Sequence, residues 1–86
     1  MSDTYSLEFF RYTVKCAPQD QTPLLFLVQV DDGYILENHL GSRLKTSRGP
    51  LRVFSSADTA IRFVDESIAG PAGRCVELRI VVGLAG

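Results

Sequence analysis

Few side chains in this sequence have the chemistry for nucleophilic or metal-ligating work, and they are widely spaced. The single histidine, His39, lies between the two cysteines, Cys16 and Cys75. Nucleophilic catalysis needs a thiol and a base in hydrogen-bond contact, and no local motif joins these three residues. Zinc sites typically include a closely spaced Cys or His pair, and the glycines form no phosphate-binding loop. We therefore predict no catalytic residue, no metal site and no cofactor, with a small hydrolase or thiol enzyme as an alternative.

The cysteine content also bears on the compartment. Secreted domains of 86 residues usually carry at least about four cysteines, and this chain has two. The N-terminal residues lack the pattern of a signal peptide, and no apolar run approaches the ~20 residues that cross a bilayer. We expect a cytoplasmic protein without membrane contact. Cys16 and Cys75 are expected to be small buried side chains, and a disulfide between them is the alternative.

The clearest charge feature is a basic segment over residues 43–52, in a chain with a formal net charge of −1. The segment contains four cations and no acid: Arg43, Lys45, Arg48 and Arg52. A local excess of positive charge attracts phosphates, nucleic acid or an acidic protein surface. The alternative is an ordinary solvated loop.

Alternation of apolar and polar residues predicts strands before and after this segment. The predicted strands are Tyr5–Cys16, Leu24–Val30, Tyr34–Leu40 and Cys75–Val82, with Leu51–Phe54 as a short additional candidate. In the last strand we expect Val76, Leu78, Ile80 and Val82 to point inward.

The residues Asp31-Asp32-Gly33 predict a hairpin turn, and two registers are compatible with them. A two-residue Asp-Gly loop would pair Val28 with Glu37. A three-residue loop with Gly33 in the left-handed conformation would pair Val28 with Leu36. We predict the second register, because it places apolar residues opposite apolar residues more often.

One amphipathic helix is predicted over Ser56–Ile68. Its apolar face consists of Ala57, Ala60, Ile61, Val64 and Ile68. Ser55 stands three residues before Asp58, the spacing of a capping box, and Gly70-Pro71 is expected to end the helix. Residues 1–86 are thus predicted to form a single α+β domain in two layers. One helix would cover a mostly antiparallel sheet of four to five strands, in the order β-β-β-(β)-α-β.

A single helix covers only one face of such a sheet, yet apolar side chains are predicted on both faces. The side chains expected on the uncovered face are Leu7, Phe9, Leu25, Leu27 and Val81. A large exposed apolar face indicates an interface with a partner or with a second copy. The candidate partner-binding residues are therefore Leu25 and Leu27, together with the four cations of residues 43–52.

Residues 50–63 carry a resemblance to known proteins. They read Pro50-Leu-Arg-Val-Phe-Ser-Ser-Ala-Asp-Thr-Ala-Ile-Arg-Phe, in which an Arg-x-Phe-x-Ser step leads into the predicted helix. This arrangement resembles small accessory proteins of bacterial plasmids, phages and integrative elements. Anti-CRISPR proteins, which are compact inhibitors of CRISPR effector complexes, include α+β domains that look similar in size. The resemblance implies a non-enzymatic protein of a mobile genetic element and assigns no functional residue.

These observations lead to two expectations of function. The first is a small non-catalytic protein that binds a protein or ribonucleoprotein complex, as an anti-CRISPR-type inhibitor of a bacterial defence complex does. The alternative is a nucleic-acid-binding or regulatory protein that uses residues 43–52. A homodimer through the uncovered face is compatible with both.

Overall fold

A computed structural model describes residues 4–82, and its strands form one mixed sheet. The strands are β1 (Thr4–Tyr5), β2 (Leu24–Val30), β3 (Gly33–Asn38), β4 (Arg43–Leu44) and β5 (Glu77–Val81), in the spatial order β1-β4-β3-β2-β5. The pairs β2–β3 and β3–β4 are antiparallel, whereas β1–β4 and β2–β5 are parallel. The predicted α+β class is confirmed. The sheet is mixed rather than mostly antiparallel. The chain between the two strands of each parallel pair is long and includes a helix, as a parallel connection requires.

The first predicted strand, Tyr5–Cys16, is wrong, because most of it forms the helix α1 (Leu7–Lys15). Ser6 is the N-cap, and its Oγ accepts a hydrogen bond from the backbone N–H of Phe9 at 3.3 Å. The element order is therefore β-α-β-β-β-α-β, with a short helix before the last strand, rather than β-β-β-(β)-α-β.

Burial along α1 follows a helical period. Phe10 and Val14 are four residues apart and both are buried, while Leu7 and Phe9 pack half-buried against the same core. Tyr12, which a strand would place on the same face as Phe10, is 64% exposed. Aromatic and β-branched residues favour strands only weakly, and burial of one helical face outweighs that preference here.

The β2–β3 hairpin has neither of the two registers considered above. Val30 pairs with Gly33, and Leu27 pairs with Leu36, so the loop consists of residues 31–32 alone. Gly33 is the first residue of β3 and does not belong to the loop. The turn is at the predicted place but in a different register. Glycine at position 33 is required by the close approach of Phe54 and not by the loop.

The predicted third strand, Tyr34–Leu40, ends earlier, at Asn38. The Asn38 side chain is buried, and its Oδ1 accepts hydrogen bonds from the backbone N–H groups of Leu40 and Ser42 at 2.9 and 3.0 Å. This side chain organises the tight turn into β4.

Residues 51–54 form two isolated bridges rather than a strand. Leu51 bridges to Lys45, and Phe54 bridges to Tyr34. Tyr34 and Phe54 exchange two backbone hydrogen bonds, at 2.8 and 2.7 Å, which fix this segment over the start of β3.

The second helical region begins with α2 (Ala57–Val64) and passes through a π-helical turn at residues 65–69 into α3 (Gly70–Ala72). It ends at Gly73, whose φ of +68° is left-handed. The expected stop at Gly70-Pro71 is wrong. The helical backbone continues through Pro71 to Ala72, directly after the π-helical turn.

The buried face of this region differs from the prediction at one position. Ala60, Val64 and Ile68 are buried as expected, but Ile61 is 44% exposed. Phe63 packs against the core instead. The N-cap is Ser56, whose Oγ accepts from the N–H of Thr59 at 3.2 Å, one residue beyond the predicted cap.

Both helical regions lie on one face of the sheet. The core consists of Phe10, Val14, Leu25, Leu27, Leu36, Leu44, Phe54, Ala60, Val64 and Ile68. Leu25 and Leu27, at 2% and 0% exposure, lie inside it, so their prediction as uncovered partner-binding residues is wrong. The helix α1 covers the face that a strand would have left open. The opposite face carries Phe26, Val28 and Val30, which are half-buried.

The last strand is shorter than predicted and lies at an edge of the sheet, beside β2. Val76 and Leu78 pack against the core as expected, but Ile80 and Val82 are 51% and 67% exposed. Within residues 4–82, none of the helices has the length and apolar character required to cross a membrane.

Candidate functional site

The four predicted cations separate into different environments. Arg43 Nε lies 3.1 Å from Glu37 Oε2 across the β3–β4 pair, so a carboxylate compensates its charge. Arg48 is exposed on the turn that follows β4. Lys45 and Arg52 are half-buried and line the same cavity.

This cavity has a volume of about 590 Å³ and lies between the first turns of α1 and the chain after β4. Residues 6–8 and 44–47 form two of its sides, and Arg11, Arg52 and Phe63 complete the wall. The parallel pair β1–β4 holds the two sides together, since the N–H of Lys45 donates to the carbonyl of Tyr5 at 3.0 Å. We refer to this space as the cationic cavity, after Arg11, Lys45 and Arg52.

Aromatic rings hold the Arg52 guanidinium in place. Its carbon Cζ lies 5.1 Å from the centroid of the Phe54 ring and 5.2 Å from that of Phe63. Such cation–π contacts orient the group without using its N–H donors. Among the residues that the structure describes, neither Arg52 nor Lys45 forms an ion pair. Both side chains therefore retain their hydrogen-bonding capacity toward the cavity.

Arg11 brings a third cation from a different element. Its Nε donates to the backbone carbonyl of Ser67 in the π-helical turn, which fixes the side chain between α1 and the second helical region. The Oγ1 of Thr46, in the wall of the same cavity, is buried without a hydrogen-bond partner among the described residues. Among the described residues of the wall, Glu8 is the one that is acidic.

The chemistry of this arrangement favours an anion. Among the described residues of the wall, three side chains are cationic and one is acidic. The N-terminus of α1, which is the positive end of the helix dipole, also contributes to the wall. Guanidinium groups bind phosphate through paired, charge-assisted hydrogen bonds, and lysine adds a point charge. The cationic cavity is therefore suited to a phosphate-bearing ligand.

The residues with nucleophilic chemistry lie elsewhere. Cys16 and His39 both line a second groove of about 550 Å³ near the end of α1, and Cys75 does not contribute to it. Both cysteines are free and exposed, which corrects the expectation of buried side chains and of a disulfide alternative. Between residues 4 and 82, no three His, Cys, Asp or Glu side chains are grouped to hold a metal ion.

Sequence reasoning found Lys45 and Arg52 but missed Arg11 and Phe63. The strand predicted over residues 5–16 concealed Arg11, whereas a helical period places it one turn after Leu7, beside the cavity. The position of Phe63 depends on packing between elements, for which the sequence carries no local signal.

No protein-family model, no curated protein and no solved structure matches this chain. The fold and the site together define a small α+β protein with a cationic cavity on the helical side of a mixed sheet.

Proposed function

We propose that this chain is a non-catalytic binding protein that engages a macromolecular complex through phosphates held in the cationic cavity. The observation that carries the proposal is the state of Lys45 and Arg52, which are half-buried and form no ion pair with a described carboxylate. Burying a charge without a partner is unfavourable, because the lost hydration is not replaced. A ligand anion would replace it.

A ribonucleoprotein complex fits this site better than a purely acidic protein surface does. Its exposed backbone phosphates match the guanidinium geometry of Arg52 and Arg11. The resemblance of residues 50–63 to accessory proteins of mobile elements adds the expectation of a bacterial defence complex in the cytoplasm, inhibited as anti-CRISPR proteins inhibit their targets. The mechanism would be occupation of a surface that the complex needs, with the cations of the cavity steering the encounter.

The same cavity supports the alternative of a nucleic-acid-binding or regulatory protein. The two functions differ in what suffices for binding. A nucleic-acid-binding protein captures free RNA or DNA, and its affinity falls steeply with salt as counterions are released. An inhibitor of a ribonucleoprotein needs contacts with the protein component as well, so free RNA binds it weakly.

The experiment is a titration of the chain with a fluorescent single-stranded RNA and with a purified CRISPR effector ribonucleoprotein, over a series of salt concentrations. Tight binding to the ribonucleoprotein with weak RNA binding supports the inhibitor. Tight RNA binding with a steep salt dependence supports the alternative. Binding to neither probe at low salt contradicts the proposed use of the cavity.

Matched variants, each of which removes one positive charge, test whether the cationic cavity is responsible for binding. Arg52→Gln and Lys45→Gln are expected to weaken binding by about tenfold each, since each removes a charge-assisted contact. Arg48→Gln removes an exposed cation of the same segment outside the cavity and is expected to weaken binding by less than about twofold. Equal losses in all three variants would indicate diffuse attraction by the segment. Circular dichroism verifies that each variant is folded.

A further inference from the structure

The outer edge of β5 is a second surface, and it is the edge of the sheet farthest from β1 and β4. β5 pairs with β2 on one side, and no other strand within residues 4–82 pairs with it. The N–H of Glu77 points toward β2, where it donates to the Pro23 carbonyl at 2.8 Å. Because backbone groups alternate along a strand, those of Leu78 and Ile80 point outward. The edge thus offers unpaired donors and acceptors to another strand.

The side chains along this edge are unusually apolar for an unprotected one. Ile80, Val81 and Val82 are 51%, 38% and 67% exposed. Edge strands usually carry charged side chains, a proline or a bulge, and these features prevent pairing with another strand. The only charged residues of β5 are Glu77 and Arg79, which form a 2.8 Å ion pair with each other on the strand surface.

We propose that β5 pairs antiparallel with β5 of a second copy of this chain, about a two-fold axis at Leu78, so that the two sheets become one continuous sheet. A two-fold axis perpendicular to the sheet keeps each face continuous, which requires residues of the same face to lie opposite each other. Several registers satisfy this requirement, and the charges of Glu77 and Arg79 favour one of them.

With the axis at Leu78, Glu77 of each copy lies opposite Arg79 of the other, and Val76 lies opposite Ile80. The Glu77–Arg79 positions are then pairs without backbone hydrogen bonds between them, where side chains approach most closely. Moving the axis to Arg79 would place the two arginines directly opposite each other, which is unfavourable. The pattern of one acid and one base two residues apart is therefore self-complementary in a single antiparallel register.

The test is the mass of the chain in solution as a function of concentration, by analytical ultracentrifugation. The wild type is expected to change from monomer to dimer as the concentration rises. Arg79→Glu or Glu77→Arg alone places like charges opposite each other at both positions and is expected to raise the dimer dissociation constant about tenfold. The double variant with Glu77→Arg and Arg79→Glu restores opposite charges and is expected to recover the dimer.

The charge swap makes the register itself testable. Both positions are at least half exposed in the monomer, so the fold is expected to tolerate each variant, as circular dichroism would verify. A wild type that remains monomeric at about 1 mM overturns the inference, because even weak specific dimers form at that concentration. A dimer that the single reversals leave unchanged, or that the double variant fails to restore, also overturns it. The cationic cavity is untouched by these changes, so RNA and ribonucleoprotein binding can succeed or fail independently.

Discussion

Gly33 lies against the backbone carbonyl of Phe54, so close that a β-carbon at position 33 would overlap the carbonyl oxygen. The hydrogen bonds between Tyr34 and Phe54 fix this approach. Gly33 also has a φ of +146°, a conformation that residues with side chains rarely adopt. Two independent constraints, one of space and one of backbone conformation, therefore require glycine at the start of β3.

We expect Gly33→Ala to lower the free energy of unfolding by about 2–4 kcal/mol, because the overlap and the backbone strain add. Gly41→Ala is the matched control. Gly41 has a φ of +81°, and a β-carbon there would meet no other part of the chain within 4 Å, so only the conformational cost remains. That cost is about 1 kcal/mol. Urea unfolding measures both. Equal effects at the two positions would mean that Phe54 does not approach Gly33 closely.

A pair of aspartate substitutions tests the helical nature of α1. Phe10 is fully buried, whereas Tyr12 is 64% exposed. Phe10→Asp is expected to unfold the protein, because it places a charge in the core. Tyr12→Asp is expected to change the stability by less than about 1 kcal/mol. A strand would place both residues on one face, so comparable damage from the two substitutions in thermal unfolding would contradict the helix.

In α2, Val64 and Ile61 are expected to differ in the same way. Val64→Ala removes two methyl groups from a side chain that is 4% exposed and is expected to cost about 1–3 kcal/mol. Ile61→Ala removes more atoms but from a side chain that is 44% exposed, and it is expected to cost less than about 1 kcal/mol. Chemical denaturation gives both values, and a larger loss for Ile61→Ala would reverse the assigned helix face.

Arg74 is expected to be a major stabilising residue, although its chemistry is invisible in the sequence. Its guanidinium donates hydrogen bonds to four backbone carbonyls, at Val14, Ala17, Pro18 and Gln21. It thereby ties the end of α1 to the residues before β5. Arg74→Gln is expected to lower the free energy of unfolding by about 2 kcal/mol, because charge-assisted bonds are lost and the carbonyls lose their donor.

Two further variants test whether the planar arrangement of the guanidinium donors causes this loss of stability. Arg74→Lys keeps the charge but lacks the planar geometry and is expected to recover less than half of the loss. Arg62→Gln removes an exposed arginine and is expected to change the stability by less than about 0.5 kcal/mol. Full recovery by Arg74→Lys would show that charge alone matters.

The parts of the fold that sequence predicts correctly are those with local signals. β2 has the predicted bounds, Leu24–Val30, because an apolar run lies between Pro23 and a turn. The helix α1 is not predicted, because Phe10 and Val14 satisfy the spacing of a helix and of a strand equally well. That single error also inverts the covered face of β2, since what covers a sheet face is decided by another element.

The candidate site is predictable only in its charge. The excess of cations in residues 43–52 is visible in the sequence, but the contacts that give these cations different environments are not. Glu37 neutralises Arg43 through the strand register, and Phe63 orients Arg52 from the helix α2. These contacts depend on how the elements pack and pair, so composition and spacing carry no signal for them.

The parallel pairing of β2 with β5 has a consequence for the time the chain needs to fold. The β2–β3 hairpin closes over two residues and can form in about 1–10 μs. In contrast, Leu24 and Glu77 are far apart in the sequence, so their pairing must close a long loop, and such non-local pairing slows folding. Docking of β5 is therefore expected to be the slow step of folding. Until it is complete, the outer edge of β2 is open to intermolecular pairing, and the yield of refolding should fall as protein concentration rises.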